Sequence, residues 1–163
     1  MSMPRETAQE ELARNVLAQA NFRVRIGLVI AAVIVGIHLF GPYQPGSSTV
    51  LPLGVAAAYV IYTAVARHFS ARPAPLTHRD VVMITAVVDP LFYSAWLFVA
   101  GESSVLFVAF YLFTVLGFGF RVGAVPMHVC QVMSLVGFTL VALTSPVWRQ
   151  HVLFALSHMV LLA

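Results

Sequence analysis

Charge is scarce in this chain of 163 residues: only 9% of the side chains are Asp, Glu, Lys or Arg, and lysine does not occur at all. With 60% hydrophobic residues and a mean hydropathy of +0.91, the sequence has too little polar surface for a soluble domain; the composition is that of an integral membrane protein. A single cysteine, Cys130, lies in an apolar segment, which excludes a disulfide framework and a paired-thiolate metal site and leaves a small packing residue. The signatures of soluble catalytic sites are also missing: there is no Gly-x-x-x-x-Gly-Lys phosphate loop, no His-Glu-x-x-His zinc helix and no Gly-x-Ser-x-Gly elbow. A freestanding enzyme is not expected. A net charge of +3 would suggest nucleic acid in a soluble protein, but here all nine basic residues are arginines near the ends of apolar runs, where they set topology.

What is present is a series of apolar runs. Spans of about 20 residues suit a bilayer, and they predict helices at 24–41, 51–68, 81–100, 105–120, 124–144 and 152–163. The fourth is short and carries Gly117 and Gly119, read as points of close helix packing, so a five-helix count stands beside six. The expected fold class is an all-α membrane protein, a bundle of five to six transmembrane helices with a short cytoplasmic N-terminal helix. Residues 1–23 form that helix and 24–163 the transmembrane domain. The first segment holds three acidic residues and a capping-box pattern, Thr7-Ala-Gln-Glu10, ahead of Leu12, Val16 and Leu17, with no signal-peptide cleavage site. A cytoplasmic N-terminus places eight arginines inside and only Arg149 outside, as the positive-inside rule requires. The outer connections, 41–50, 101–104 and 145–150, are too small for a folded extracytoplasmic domain.

Asp89 is the one acidic residue deep within an apolar run, and such a group costs roughly 2.5 kcal/mol or more at the centre of a bilayer. Pro90 frees the carbonyl of Ala86 one turn earlier, so a kink and a polar site coincide. Arg121, at the end of a span, reaches lipid headgroups or a buried carboxylate. At about 1.5 Å per residue Asp89 lies roughly 12 Å from the cytoplasmic end of its helix, so a direct pair with Arg121 needs a tilted helix or a water. Glu102 falls in an outer turn and is suited to cap the next helix at Ser103 or Ser104.

Histidines form the second polar group. His68, His78 and His151 stand at span boundaries, whereas His38, His128 and His158 lie within apolar segments, where the simplest role is a hydrogen bond to a neighbouring helix. Two imidazoles at similar depth on different helices also suit the axial positions of haem b. His38 with His158 is one such pair and His68 with His128 the other; without a Cys-x-x-Cys-His motif the haem would be non-covalent.

Four elements follow one another in the second half: Asp89, Gly101-Glu102-Ser103-Ser104, Gly117-Phe-Gly119-Phe-Arg121-Val-Gly123 and Ser145-Pro146-Val-Trp148. This string, over roughly residues 80–150 and with weaker similarity across the first two helices, resembles the RpfC-type sensory region of bacterial sensor histidine kinases, which includes receptors for diffusible fatty-acid quorum signals. The resemblance implies a multi-pass input domain in the bacterial inner membrane, working as a homodimer. A kinase core would follow the last helix and a response regulator would act downstream, so the parent would be an enzyme and this segment would not. It implies a membrane-lipid environment and a fatty-acid-like signal, with Asn21, Phe22 and Arg23 as the analogous place for its carboxylate. Asp89, Arg121 and Glu102 would form the ligand or switch positions. The reading of a different class is a bis-histidine haem b membrane protein with electron-transfer or oxidoreductase activity. A proton-coupled transporter using Asp89 and a histidine ranks last, for want of an inverted repeat.

Overall fold

The computed structural model describes residues 5–40, 50–72, 74–100 and 107–163, with the side chains of residues 5–8 and 38 outside the described set. Among the described residues there are seven helices and no strand: α1 (Arg5–Phe40), α2 (Val50–Ala71), α3 (His78–Val99), α4 (Ala109–Arg121), α5 (Ala124–Thr144), α6 (Pro146–Gln150) and α7 (Val152–Leu162). Four stretches, Gln9–Ile37, Val50–Ala71, His78–Val99 and Ala124–Thr144, are long and apolar enough to cross a membrane, while α4 and α7 are apolar but shorter. The expected boundary between a cytoplasmic helix over 1–23 and a span from 24 does not appear as a break. From Arg5 to Phe40 there is no proline, and Ala, Leu, Arg, Glu and Gln favour helix through the junction. Thr7 lies within α1, and its side chain, on which the capping-box reading rests, lies outside the described residues. A capping box does open α3, where the Thr77 amide and hydroxyl donate to Asp80 Oδ2 at 2.9 and 2.7 Å and the Asp80 amide returns a bond to Thr77 Oγ1 at 3.2 Å.

Two compact units divide the chain, Met1–Val82 and Met83–Ala163. In the first, α1 buries Val16, Ala20, Arg23, Gly27, Ile30 and Ile34, with Gln19 beside Ala20, and α2 buries Pro52, Ala56, Tyr59, Thr63, Ala66 and Ser70. Both series advance by alternate steps of four and three, the 3.5-residue period of a coiled-coil seam. The pair is antiparallel, because Gly27 faces Tyr59 and Thr63 while Asn21, earlier in α1, meets Arg67, later in α2. A Cβ on Gly27 would come 3.3 Å from the Tyr59 ring and 3.5 Å from Thr63, so small residues let the helices approach closely. In hydrocarbon, where apolar burial gives little driving force between helices, such close packing is what holds a helical pair.

The second unit turns on Gly123. Its φ of 118° is one that a side chain would resist, and its amide reaches back to the Phe118 carbonyl at 3.0 Å, so that only Val122 and Gly123 separate the end of α4 from the start of α5. Further along, Pro146 occupies the first turn of α6, where its missing N–H is harmless. Arg149 Nε donates to the Leu143 carbonyl at 2.7 Å, so this arginine caps the end of α5. The core gathers Leu97, Val108, Tyr111, Phe138, Val141, Trp148, Ala155 and Leu162. Gln131 of α5 fastens α7 by donating to the carbonyls of Leu162 and Ala163 at 2.8 and 3.0 Å.

Candidate functional site

Asp89 is 1% exposed, and it shares the buried side of α3 with Thr85, Ala86, Pro90 and Ser94. The helix runs through Pro90. One turn later Ser94 Oγ donates to the Pro90 carbonyl at 2.7 Å, and the same oxygen lies 2.7 Å from the hydroxyl of Tyr111 in α4. Since the single serine proton points at Pro90, the tyrosine is the donor to serine. Tyr111 is fully buried, as is Ser134 of α5, whose hydroxyl returns to the Cys130 carbonyl at 2.7 Å. Tyr93 adds a second hydroxyl contact between α3 and α4, its hydroxyl donating to Thr114 Oγ1 at 3.2 Å, since the threonine proton goes to the Phe110 carbonyl at 2.7 Å. Opposite this group stands Gly137 of α5. A Cβ there would collide with Ser94 Oγ and lie 3.8 Å from the Pro90 carbonyl oxygen. Three helices thus meet at one hydroxyl pair, one turn beyond the buried carboxyl.

A chain of ring contacts surrounds that meeting point. Tyr93 packs edge-on against Tyr111, Tyr111 against Phe138, and Phe138 against Trp148 at 5.2 Å between centroids. Trp148 stacks on Phe154, which touches His158 at 4.2 Å. The Trp96 and Trp148 indole N–H groups are buried without a hydrogen-bond partner among the described residues.

The residues singled out in the sequence fall into separate settings. Arg121 is exposed in the last turn of α4, where a cation complements the helix dipole. Glu102 lies outside the described residues. Asn21, Phe22 and Arg23 do not converge: Phe22 is 51% exposed, Arg23 only 7%, and Asn21 Oδ1 accepts from Arg67 Nε at 2.7 Å. Successive positions on a helix point some 100° apart, and here they are divided between the outer face, the seam and its flank. Of the glycines, Gly119 is closely packed, since its Cβ would sit 2.6 Å from the Met127 sulfur, whereas Gly117 faces open space; the packing expectation holds for the first and not for the second.

His158 is half-buried, and its Nδ1 lies 3.0 Å from the Phe154 carbonyl one turn back. A nitrogen facing a carbonyl carries the proton, and in a neutral ring so oriented Nε2 holds the lone pair. His128 is exposed, with Nδ1 3.3 Å from Gln131 Oε1, and His68 is exposed with its ring edge-to-face against Phe69. The His38 side chain lies outside the described residues. Each expected haem pair has one member in either unit. Among the described residues no cluster of three or more His, Cys, Asp or Glu side chains forms a metal-ion site.

Fold and site together define an all-helical chain with four helices suited to a membrane and a buried polar network in its second unit. Neither protein-family models, nor curated proteins, nor solved structures give a match to it.

Proposed function

We propose that this chain is the membrane-embedded input domain of a two-component sensor histidine kinase. In this reading it is a multi-pass, dimeric protein of the bacterial inner membrane, with a cytoplasmic N-terminus and five or six crossings. Its signal is membrane-accessible and fatty-acid-like, and its output is a kinase core with its response regulator. The observation that carries the reading is buried Asp89 beside a proline within α3, one turn from the Ser94–Tyr111 hydroxyl pair. A buried carboxyl in an apolar unit is costly, and such groups mark pathways, ligands or switches. A polar network spanning three helices can be remade in a second packing, which is what a switch needs. The motif string around it supports the family reading.

The test is the reading frame beyond Ala163 together with the activity of the full chain. The frame is expected to encode a phosphoacceptor histidine and an ATP-binding core. In membranes, Asp89→Asn is expected to change autophosphorylation by at least about fivefold, the scale of an ordinary allosteric coupling. A frame that stops shortly after Ala163, or an unchanged rate in the variant, would reject the assignment.

A second reading draws on His158. Its Nδ1–H is committed to the Phe154 carbonyl, the arrangement that fixes the tautomer of an axial ligand and offers Nε2 to a metal. Bound non-covalently, haem b would supply redox or gas-binding chemistry, with His38 and His158 as its ligands; His68 with His128 is the alternative pair. A Soret band in the purified protein that disappears in His158→Ala supports it; a colourless preparation from haem-supplied cells disproves it.

A further inference from the structure

The apolar run of α1 begins at Ile26, directly after Arg25, and that of α2 closes at Ala66, directly before Arg67. The antiparallel register brings these two boundaries to the same end of the hairpin, and the bond from Arg67 Nε to Asn21 Oδ1 ties them together. Arg25 follows Asn21 by one helical turn and so shares its face, and Arg14 precedes it by two turns on the same face. All three guanidiniums are exposed, and beyond the Arg67–Asn21 bond none has a polar partner among the described residues.

α2 has no acidic residue; Glu10 and Glu11 of α1 stand one turn before Arg14 and about 15 Å or more before Asn21 along the axis, and the Asp80 carboxylate at the start of α3 accepts from Thr77. Phe22, half-exposed beside Asn21, is an apolar ring at the same boundary. The polar end of two apolar runs is the depth at which lipid phosphates lie, and guanidinium forks take phosphate oxygens in pairs. Asn21 occupies Nε of Arg67 and leaves its two terminal nitrogens to donate.

We propose that Arg25 and Arg67, arranged about Asn21, bind the phosphate of an anionic phospholipid headgroup. The site belongs to the α1–α2 hairpin and does not depend on a signalling role.

Native mass spectrometry of the delipidated full chain in detergent tests this, with phosphatidylglycerol, phosphatidylcholine, oleate and inorganic phosphate as separate probes. Phosphatidylglycerol is expected to bind ahead of phosphatidylcholine, whose choline cancels the phosphate charge. Replacing both arginines, Arg25→Gln with Arg67→Gln, is expected to weaken it by about tenfold or more. Arg149→Gln removes one positive charge elsewhere and is expected to leave binding unchanged. Asn21→Ala releases Arg67 while keeping every charge, and it too is expected to weaken phosphatidylglycerol, which preserves a measurement if the double variant does not fold. Equal binding of the two phospholipids, an equal loss in Arg149→Gln, or no loss in Asn21→Ala would each overturn the proposal. So would displacement of phosphatidylglycerol by an equal concentration of oleate or of inorganic phosphate, since the site would then serve carboxylates or free anions.

Discussion

Gly137 shows how a single residue can be set against its own helical preference. Glycine inside a helix costs about 0.5–1 kcal/mol relative to alanine, so intrinsic propensity alone would favour replacing it. The Ser94 hydroxyl occupies the space a methyl group would need, and that hydroxyl is held by both the Pro90 carbonyl and Tyr111. Gly137→Ala is therefore expected to destabilise the protein by about 1–3 kcal/mol, the usual scale of overpacking, seen as a lower melting temperature in detergent. Gly117→Ala, which meets open space, is expected to melt at or above the wild-type temperature. A Gly137→Ala protein as stable as its parent would show that the serine yields freely. The hydroxyl pair itself can be tested by a double-mutant cycle. Tyr111→Phe and Ser94→Ala are each expected to cost about 1 kcal/mol or more, and together less than their sum, because the Ser94–Tyr111 bond is common to both. Strictly additive losses would mean that the two groups do not depend on each other.

At the scale of elements, the start of α3 and the α1–α2 seam are separable features. Thr77→Ala removes the side chain that closes the capping box and is expected to cost about 1 kcal/mol, with Thr77→Ser restoring most of it. Gly27→Leu places a branched side chain where even a Cβ would be 3.3 Å from Tyr59. It is expected to part the hairpin, making the end of α2 susceptible to limited proteolysis; an unchanged digestion pattern would mean that the seam tolerates the volume.

Much of the element plan was legible because long apolar runs report helices directly. The expected span 124–144 coincides with α5, and those at 51–68, 81–100 and 152–163 fall within a few residues of α2, α3 and α7. The merging of the first two segments was not legible, since the change from charged to apolar residues after Arg25 alters the solvent and leaves helix propensity intact. Asp89 stood out as a charge in an apolar run, but its surroundings did not. Ser94, Tyr111 and Gly137 look ordinary in sequence, and only packing brings together residues 17 and 43 positions apart. The four-and-three spacing of small residues in α2 is a readable sign of the seam, but it is embedded in an excess of apolar residues with no period of its own.

For the molecule as a whole, Cys130 offers a built-in probe. It is the only thiol in the chain and is fully buried in the second unit, so maleimide labelling reports the opening of that unit. Labelling is expected to be slow in the native protein, complete in denaturant and faster in Gly137→Ala; rapid native labelling would contradict the burial. Four helices long and apolar enough to span a bilayer also lead us to expect that an alkaline wash leaves the chain with the membrane pellet. The unequal lengths of the hairpin helices carry a mechanical consequence. α1 has 36 residues and α2 has 22, and the register that joins Asn21 to Arg67 sets the end of α2 near Leu17. The start of α1 therefore extends about 18 Å past the end of α2. A tilt of about 20°, ordinary for helices in bilayers, would sweep its tip sideways by about 6 Å, so that a slight change in bilayer thickness becomes a displacement as large as one helical turn.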